Sequence, residues 1–156
     1  MLFLIISLIL FNLTAYLIPK HLTKLEMYAS SLFALLFAVI ADKFLDIKYN
    51  LYGYFTIGLE WQTFAVAVGI YPAINILFLN YYPYYKSLLK RTNYILGWSL
   101  FALAFEWASV KAGYFYYHGW TLWYSALCYP PIYYLLALNL ALIRKLQADS
   151  DEPGLR

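Results

Sequence analysis

Hydrophobic residues in this chain gather into five long runs, and short segments between them hold most of the charge. The runs cover residues 2–18, 27–41, 63–80, 94–110 and 121–143. A membrane-spanning helix needs about 20 apolar residues, with a range of about 17–25. Each run therefore predicts a span, and the second reaches full length only if the helix continues through residues 42–45.

The segments between the runs predict one orientation. The first holds Lys20, His21 and Lys24, the third Lys86, Lys90 and Arg91, and the fifth run ends at Arg144 and Lys145. By the positive-inside rule these lie on the cytoplasmic side. The second holds Asp42, Lys43, Asp46, Lys48 and Glu60, and the fourth only Lys111 and His118, so these face outward. The first run has no Lys or Arg before it and no small-residue cleavage site, so it predicts an uncleaved helix with its N-terminus outside. The expected fold class is all-α, a bundle of five transmembrane helices over residues 1–146. Residues 147–156 are polar, with Asp149, Asp151, Glu152 and Pro153-Gly154, and predict a disordered cytoplasmic tail.

Composition agrees. The 156 residues are 64% hydrophobic and 12% charged, against about 45–50% and about 25% in soluble domains. The net charge of +3 follows topology rather than forming a patch, which argues against nucleic-acid binding. Rings make up 22% of the chain and suit the membrane–water interface. One cysteine, Cys128, excludes an intrachain disulfide and a Cys-based metal cage.

The order of several blocks repeats. Ser31-Leu-Phe-Ala-Leu35 recurs as Ser99-Leu-Phe-Ala-Leu103, and Tyr71-Pro72-x-Ile74 recurs as Tyr129-Pro130-x-Ile132. Asp46 followed at seven residues by Gly53-Tyr54-Phe55 recurs as Glu106 followed at seven residues by Gly113-Tyr114-Phe115. A duplicated hairpin would place helices 2–3 and 4–5 in the same orientation, the parallel-repeat arrangement, with helix 1 as an addition.

Glu106 is the foremost candidate for chemistry, as a carboxylate inside a span is costly and marks a functional site by default. It lies five residues before Lys111, about 7–8 Å below the outer boundary. Asp42 and Asp46 are one helical turn apart at the same end. Ser99 shares the helix face of Glu106, and Trp107 is placed to meet Lys111 in a cation–π contact. His118 beside Gly119-Trp120 is the outer-face histidine. The Gly-Tyr-Phe blocks predict a helix exit anchored by rings, with Tyr54 and Tyr114 also able to line an apolar pocket. Asn12, Asn75, Asn80 and Asn139 predict bonds across helices. Oxygen-rich ligands from Asp42, Asp46, Glu106 and His118 would suit a hard cation, but their spacing is not diagnostic of a metal site. No nucleotide loop, zinc spacing or nucleophile elbow occurs, so neither a metal nor a cofactor is implied.

The order of motifs resembles an uncharacterised family of small polytopic membrane proteins of spore-forming Gram-positive bacteria. The residues that carry it are Pro19-Lys20-x-Leu22-Thr23-Lys24, Leu45-Asp46-x-Lys48-Tyr49-x-Leu51-Tyr52-Gly53-Tyr54-Phe55, Tyr71-Pro72-Ala73-x-Asn75, Glu106-Trp107 and Gly113-Tyr114-Phe115-Tyr116-Tyr117-x-Gly119-Trp120. The resemblance covers about residues 1–146 and implies a polytopic fold without a known activity. A much weaker similarity, in carboxylates and rings within a small bundle, is to membrane-embedded terpenoid cyclases, and no specific motif carries it.

The leading expectation is an outward-facing acidic and aromatic pocket that binds a lipid-like or small amphipathic ligand. Glu106 is its central group, and membrane lipid is the surrounding partner. The rivals are an enzyme using Glu106 as general acid on an isoprenoid or lipid, a small proton-coupled carrier working as a homo-oligomer, and an accessory subunit. For the topology, a membrane-impermeant amine reagent should label Lys111 from outside and leave Lys20 unlabelled until the membrane is opened; labelling of both from one side would refute it.

Overall fold

The computed structural model describes residues 1–54 and 64–151; the side chains of Asp46, Ile47, Tyr54 and Asp151 lie outside the description. Helix α1 is Leu2–Leu17. Helix α2 is Lys24–Asp42 and continues as a π-helical turn over Lys43–Lys48. Strand β1 is Tyr52–Tyr54. A π-helical turn, Val66–Ile70, leads into α3, Tyr71–Asn80. Then follow α4 (Leu88–Lys111), β2 (Phe115–Tyr117) and α5 (Leu122–Asp151).

The local sequence explains the boundaries. Thr23 accepts from the Glu26 amide at 3.1 Å while Glu26 accepts from the Thr23 amide at 2.7 Å, a capping box that starts α2. Pro72 sits where the π-helical turn passes into α3, at a change of helical winding rather than within a regular α-helix. Gly113, at φ +75°, ends α4 in the left-handed conformation that a side chain resists. Pro130 and Pro131 lie inside α5 and leave the carbonyls of Ala126 and Leu127 without their usual amide partners. The last helix runs to Asp151, past the boundary expected near residue 146, as Gln147 and Ala148 are good helix formers.

The five helical segments match the five apolar runs, and the all-α class holds with one small addition. The segments next to the two Gly-Tyr-Phe blocks meet as an antiparallel pair, with Tyr52 opposite Tyr117, Gly53 opposite Tyr116 and Tyr54 opposite Phe115. Gly113 serves the expected helix exit. Gly53 does not: it sits in the strand with the Tyr116 ring lying across the place a Cβ would occupy. The carbonyl of Leu51 then accepts from the amides of His118, Gly119 and Trp120 at 2.9–3.0 Å, which fastens the two connections together.

Length and composition support fewer spans than expected. Among the described residues, Lys24–Leu45 and Leu122–Ser150 are long and apolar enough to cross a membrane, whereas Leu2–Leu17 and Val66–Asn80 are shorter apolar helices. Lys90, Arg91, Glu106 and Lys111 dilute the apolar character of α4.

Large apolar side chains cover much of the outside as well as the core. Ile5, Ile9, Leu13 and Leu17 of α1, Leu32 and Leu36 of α2, and Leu127, Leu138 and Leu142 of α5 all point outward. Inside lie Ser7, Glu26, Ser30, Asn75, Asn80, Ser99, Glu106, Ser109 and Ser125 together with the apolar core. Asn12 donates to Gly69 O at 2.9 Å and ties α1 to the turn before α3. Asn75 donates to Ser30 Oγ at 3.0 Å, and Asn80 holds both Pro19 O and the His21 amide, so these three bond across segments as expected. Asn139 Oδ1 has no partner among the described residues.

The two ends differ chemically. Where α2 begins and α5 ends, Glu26, 4% exposed, meets Arg144 at 2.6 Å, and the Arg144 guanidinium lies 5.1 Å above the Tyr84 ring. Between this end and the other, Phe78 is fully enclosed by Tyr82, Tyr94, Trp98 and Tyr133, at ring separations of 4.7–5.8 Å. Removing one partner of a buried ion pair leaves the other charge without compensation. Arg144→Met should therefore lower stability by about 3 kcal/mol, read by thermal unfolding in detergent, and adding Glu26→Gln, which removes the charge and keeps the capping box, should restore part of the loss.

Candidate functional site

The opposite end contains Glu106. It lies just over one turn before the end of α4 and is 7% exposed. The chain reverses at Gly113 and β2 carries Tyr117 back, whose hydroxyl donates to Glu106 Oε1 at 2.5 Å. On α5, Ser125 and Tyr129 are four residues apart and so share a face. Ser125 donates to Oε1 at 2.7 Å, and Tyr129 donates to Oε2. Ser125 in turn accepts from the indole Nε1–H of Trp120 at 2.7 Å. The carboxyl is thus held by three hydroxyls from two elements, and one of these is oriented by an indole. Burial and the acceptor Glu106 raise the Tyr117 pKa, so its hydroxyl stays a proton donor.

Asp42 forms a second such pair. The Tyr52 hydroxyl donates to its Oδ1 at 2.7 Å. Tyr52 and Tyr117 are directly opposite on β1 and β2, so one strand pairing supplies a tyrosine to each acid. Both acids line a single cavity of about 500 Å³ bounded by α2, α3, α4, α5 and the strand pair. That volume falls within the range of small-molecule sites, about 300–1,000 Å³. The walls are mainly rings and aliphatic groups, among them Phe105, Phe115, Trp120 and Tyr133. Phe37 and Ala38 of α2 and Pro131 and Leu135 of α5 also line it, and Pro131 and Leu135 are at the surface. The cavity thus reaches the flank between α2 and α5.

The structure sorts the expected residues. Glu106, Asp42 and Tyr114 line the cavity. Tyr114 is buried against Ser109, 2.8 Å between hydroxyls, and burial raises its pKa. Ser99 is buried but bonds back to Ile95 O at 2.9 Å, two turns below Glu106 and outside the cavity lining. Trp107 is 56% exposed and points away, because one residue of helix turns it about 100° from Glu106; its expected contact with Lys111 does not form among the described residues. His118 is exposed, edge-on to Tyr116 and held by its backbone. The Asp46 and Tyr54 side chains lie outside the described residues, as does Glu60. Among the described residues, no three His, Cys, Asp or Glu side chains cluster to hold a cation.

Tyr52, Tyr117, Ser125 and Tyr129 are the partners that sequence reasoning missed. A signal was present for two of them: Ser125 and Tyr129 put hydroxyls four residues apart on one face of an otherwise apolar run, beside the repeated Tyr-Pro block. Compared with known proteins, the chain matches no family model, no curated protein and no solved structure.

Because Ser125 and Tyr117 serve the same oxygen, their removal should not be additive. Ser125→Ala strands the Trp120 N–H and should cost about 2 kcal/mol, with Tyr117→Phe costing about 1–2 kcal/mol. A double-mutant cycle followed by thermal unfolding should give a coupling of about 0.5–3 kcal/mol, as for neighbours in one network; additive losses would show that the two hydroxyls do not share Glu106.

Proposed function

We propose that this chain is a five-span membrane protein whose cavity binds a lipid-like or small amphipathic ligand, with Glu106 as the polar anchor. The observation that carries the reading is a carboxylate 7% exposed at the edge of a cavity of about 500 Å³, held among the described residues by hydroxyls alone. No Lys, Arg or His is among the described residues that line that cavity. Such a group is expensive to bury and is retained where it does something.

The outward-facing Leu and Ile of α1, α2 and α5 support a lipid environment. Lys20, Lys24, Lys86, Lys90, Arg91, Arg144 and Lys145 all belong to one end of the bundle, which the positive-inside rule assigns to the cytoplasm. The cavity then lies in the outer half and its flank opening faces the acyl chains. Two parallel hairpin repeats, α2–α3 and α4–α5, would put this cavity between them. The resemblance to small polytopic membrane proteins of spore-formers agrees with this architecture.

A second reading, acid catalysis on an isoprenoid or lipid, finds less support, because Glu106 is the acceptor in its bonds to Tyr117, Ser125 and Tyr129 rather than a donor. A carrier is less well supported, because the Phe78 ring cluster fills the path toward the basic end.

Native mass spectrometry of protein released from nanodiscs should show a bound amphiphile. Ala38→Trp, placed at the cavity mouth, should remove it. Glu106→Gln should weaken its retention about tenfold, the equivalent of losing one hydrogen bond to a charged group. Equal retention by all three proteins would overturn the proposal.

A further inference from the structure

The basic end of the bundle carries a cluster of its own, built round the Tyr84 ring in the turn between α3 and α4. The Arg144 guanidinium carbon lies 5.1 Å from the centre of that ring, and that of Arg91 lies 5.8 Å from it. Arg144 directs its Nε–H to Glu26, and Arg91 donates its Nε–H to Lys86 O at 3.0 Å. The guanidinium group is a planar fork of five N–H donors. Both arginines therefore keep their Nη groups without a hydrogen-bond partner among the described residues.

Charge in this cluster does not balance. Two guanidinium groups share one ring, and Glu26 is the one carboxylate in a salt bridge with either among the described residues. Lys86 and Lys90 precede Arg91, Lys145 follows Arg144, and all three are exposed. Asp149, the next acid on α5, lies five residues beyond Arg144 and about 140° round the helix from it. Like charges held close together repel, and an anion between them offsets that repulsion. Arginine forks match the oxygens of a phosphate two at a time.

Neighbouring side chains decide which phosphate. Tyr85, Leu88 and Leu89 are 71–87% exposed beside Lys86 and Lys90. An anion free in water gains nothing from them, whereas a lipid lays its acyl chains on the leucines and its head at the level of the rings and cations. We propose that Arg91 and Arg144, seated on Tyr84, hold the phosphodiester of an anionic phospholipid, with Lys86, Lys90 and Lys145 at the rim. The inference rests on the chain lying in a membrane, as proposed above, and is independent of what the cavity binds.

The test uses the full chain in nanodiscs holding equal amounts of phosphatidylglycerol and phosphatidylcholine with matched acyl chains. Native mass spectrometry of the released protein should show phosphatidylglycerol retained about fivefold over phosphatidylcholine, the worth of one basic residue beside an anionic lipid. Arg91→Gln should remove most of that preference. Lys20→Gln, a loss of charge at the same end but outside the cluster, should leave it in place, and so should Ala38→Trp at the cavity mouth. If Arg91→Gln does not fold, Tyr84→Leu, which removes the ring under both guanidinium groups, serves the same comparison. Equal retention of the two lipids by the wild type would overturn the proposal. An equal fall in Arg91→Gln and Lys20→Gln would also overturn it, by showing general attraction in place of a site. Loss of the preference in Ala38→Trp would move the lipid to the cavity and overturn it too. Displacement of the retained lipid by excess inorganic phosphate would assign the cluster to a free anion and refute the lipid. Failure of the chain to enter nanodiscs at all would refute the membrane reading beneath it, a result distinct from each of these.

Discussion

Burying a carboxylate without a cation governs this structure. The effective penalty for taking such a group out of water is several kcal/mol, and only well-placed donors offset it. Glu106 obtains them from three hydroxyls, two on one face of α5 and one on β2. That demand explains features that otherwise look unrelated. The chain must leave α4 sharply, which Gly113 permits at φ +75°. It must return as a strand to bring Tyr117 back, and that strand needs a partner, which β1 provides. Ser125 and Tyr129 must be one turn apart, and Trp120 must hold Ser125 in the orientation that donates.

The protein buries two acids in opposite ways. Glu26 is closed off by its capping box and the Arg144 guanidinium, which leaves it no spare chemistry. Glu106 has donors but no countercharge among the described residues, and it borders empty volume. Structural acids are neutralised by the fold; an acid left with directional hydrogen bonds beside a cavity keeps capacity for a ligand or a proton. The ring cluster around Phe78 separates the two environments.

Helix positions were legible because long apolar runs and short polar connections leave few alternatives, and each of the five runs holds a helix. Glu106 was legible because a lone acid in such a run stands out. Its partners were not, since tyrosine and serine are common in this chain and nothing local says which of 18 tyrosines turns inward. Ser99 illustrates the limit: it is on the expected face and is buried, yet a serine in a helix can satisfy itself on its own backbone. Gly53 shows another, since a glycine that suggests a turn by residue type serves here for close approach of the Tyr116 ring.

Amino-acid order by itself determined the helical class, the gathering of basic residues at one end and the placing of Glu106 inside a helix, because these depend on apolar runs and charge along one dimension. Tertiary structure decided that Asp42 joins Glu106 at one cavity, that Tyr52 and Tyr117 are supplied to the two acids by a single strand pair, and that Trp107 and His118 face away. Helix rotation and strand register set those outcomes. Both are fixed by packing between segments more than 60 residues apart, as the pairing of Tyr52 with Tyr117 shows, and no local pattern encodes them.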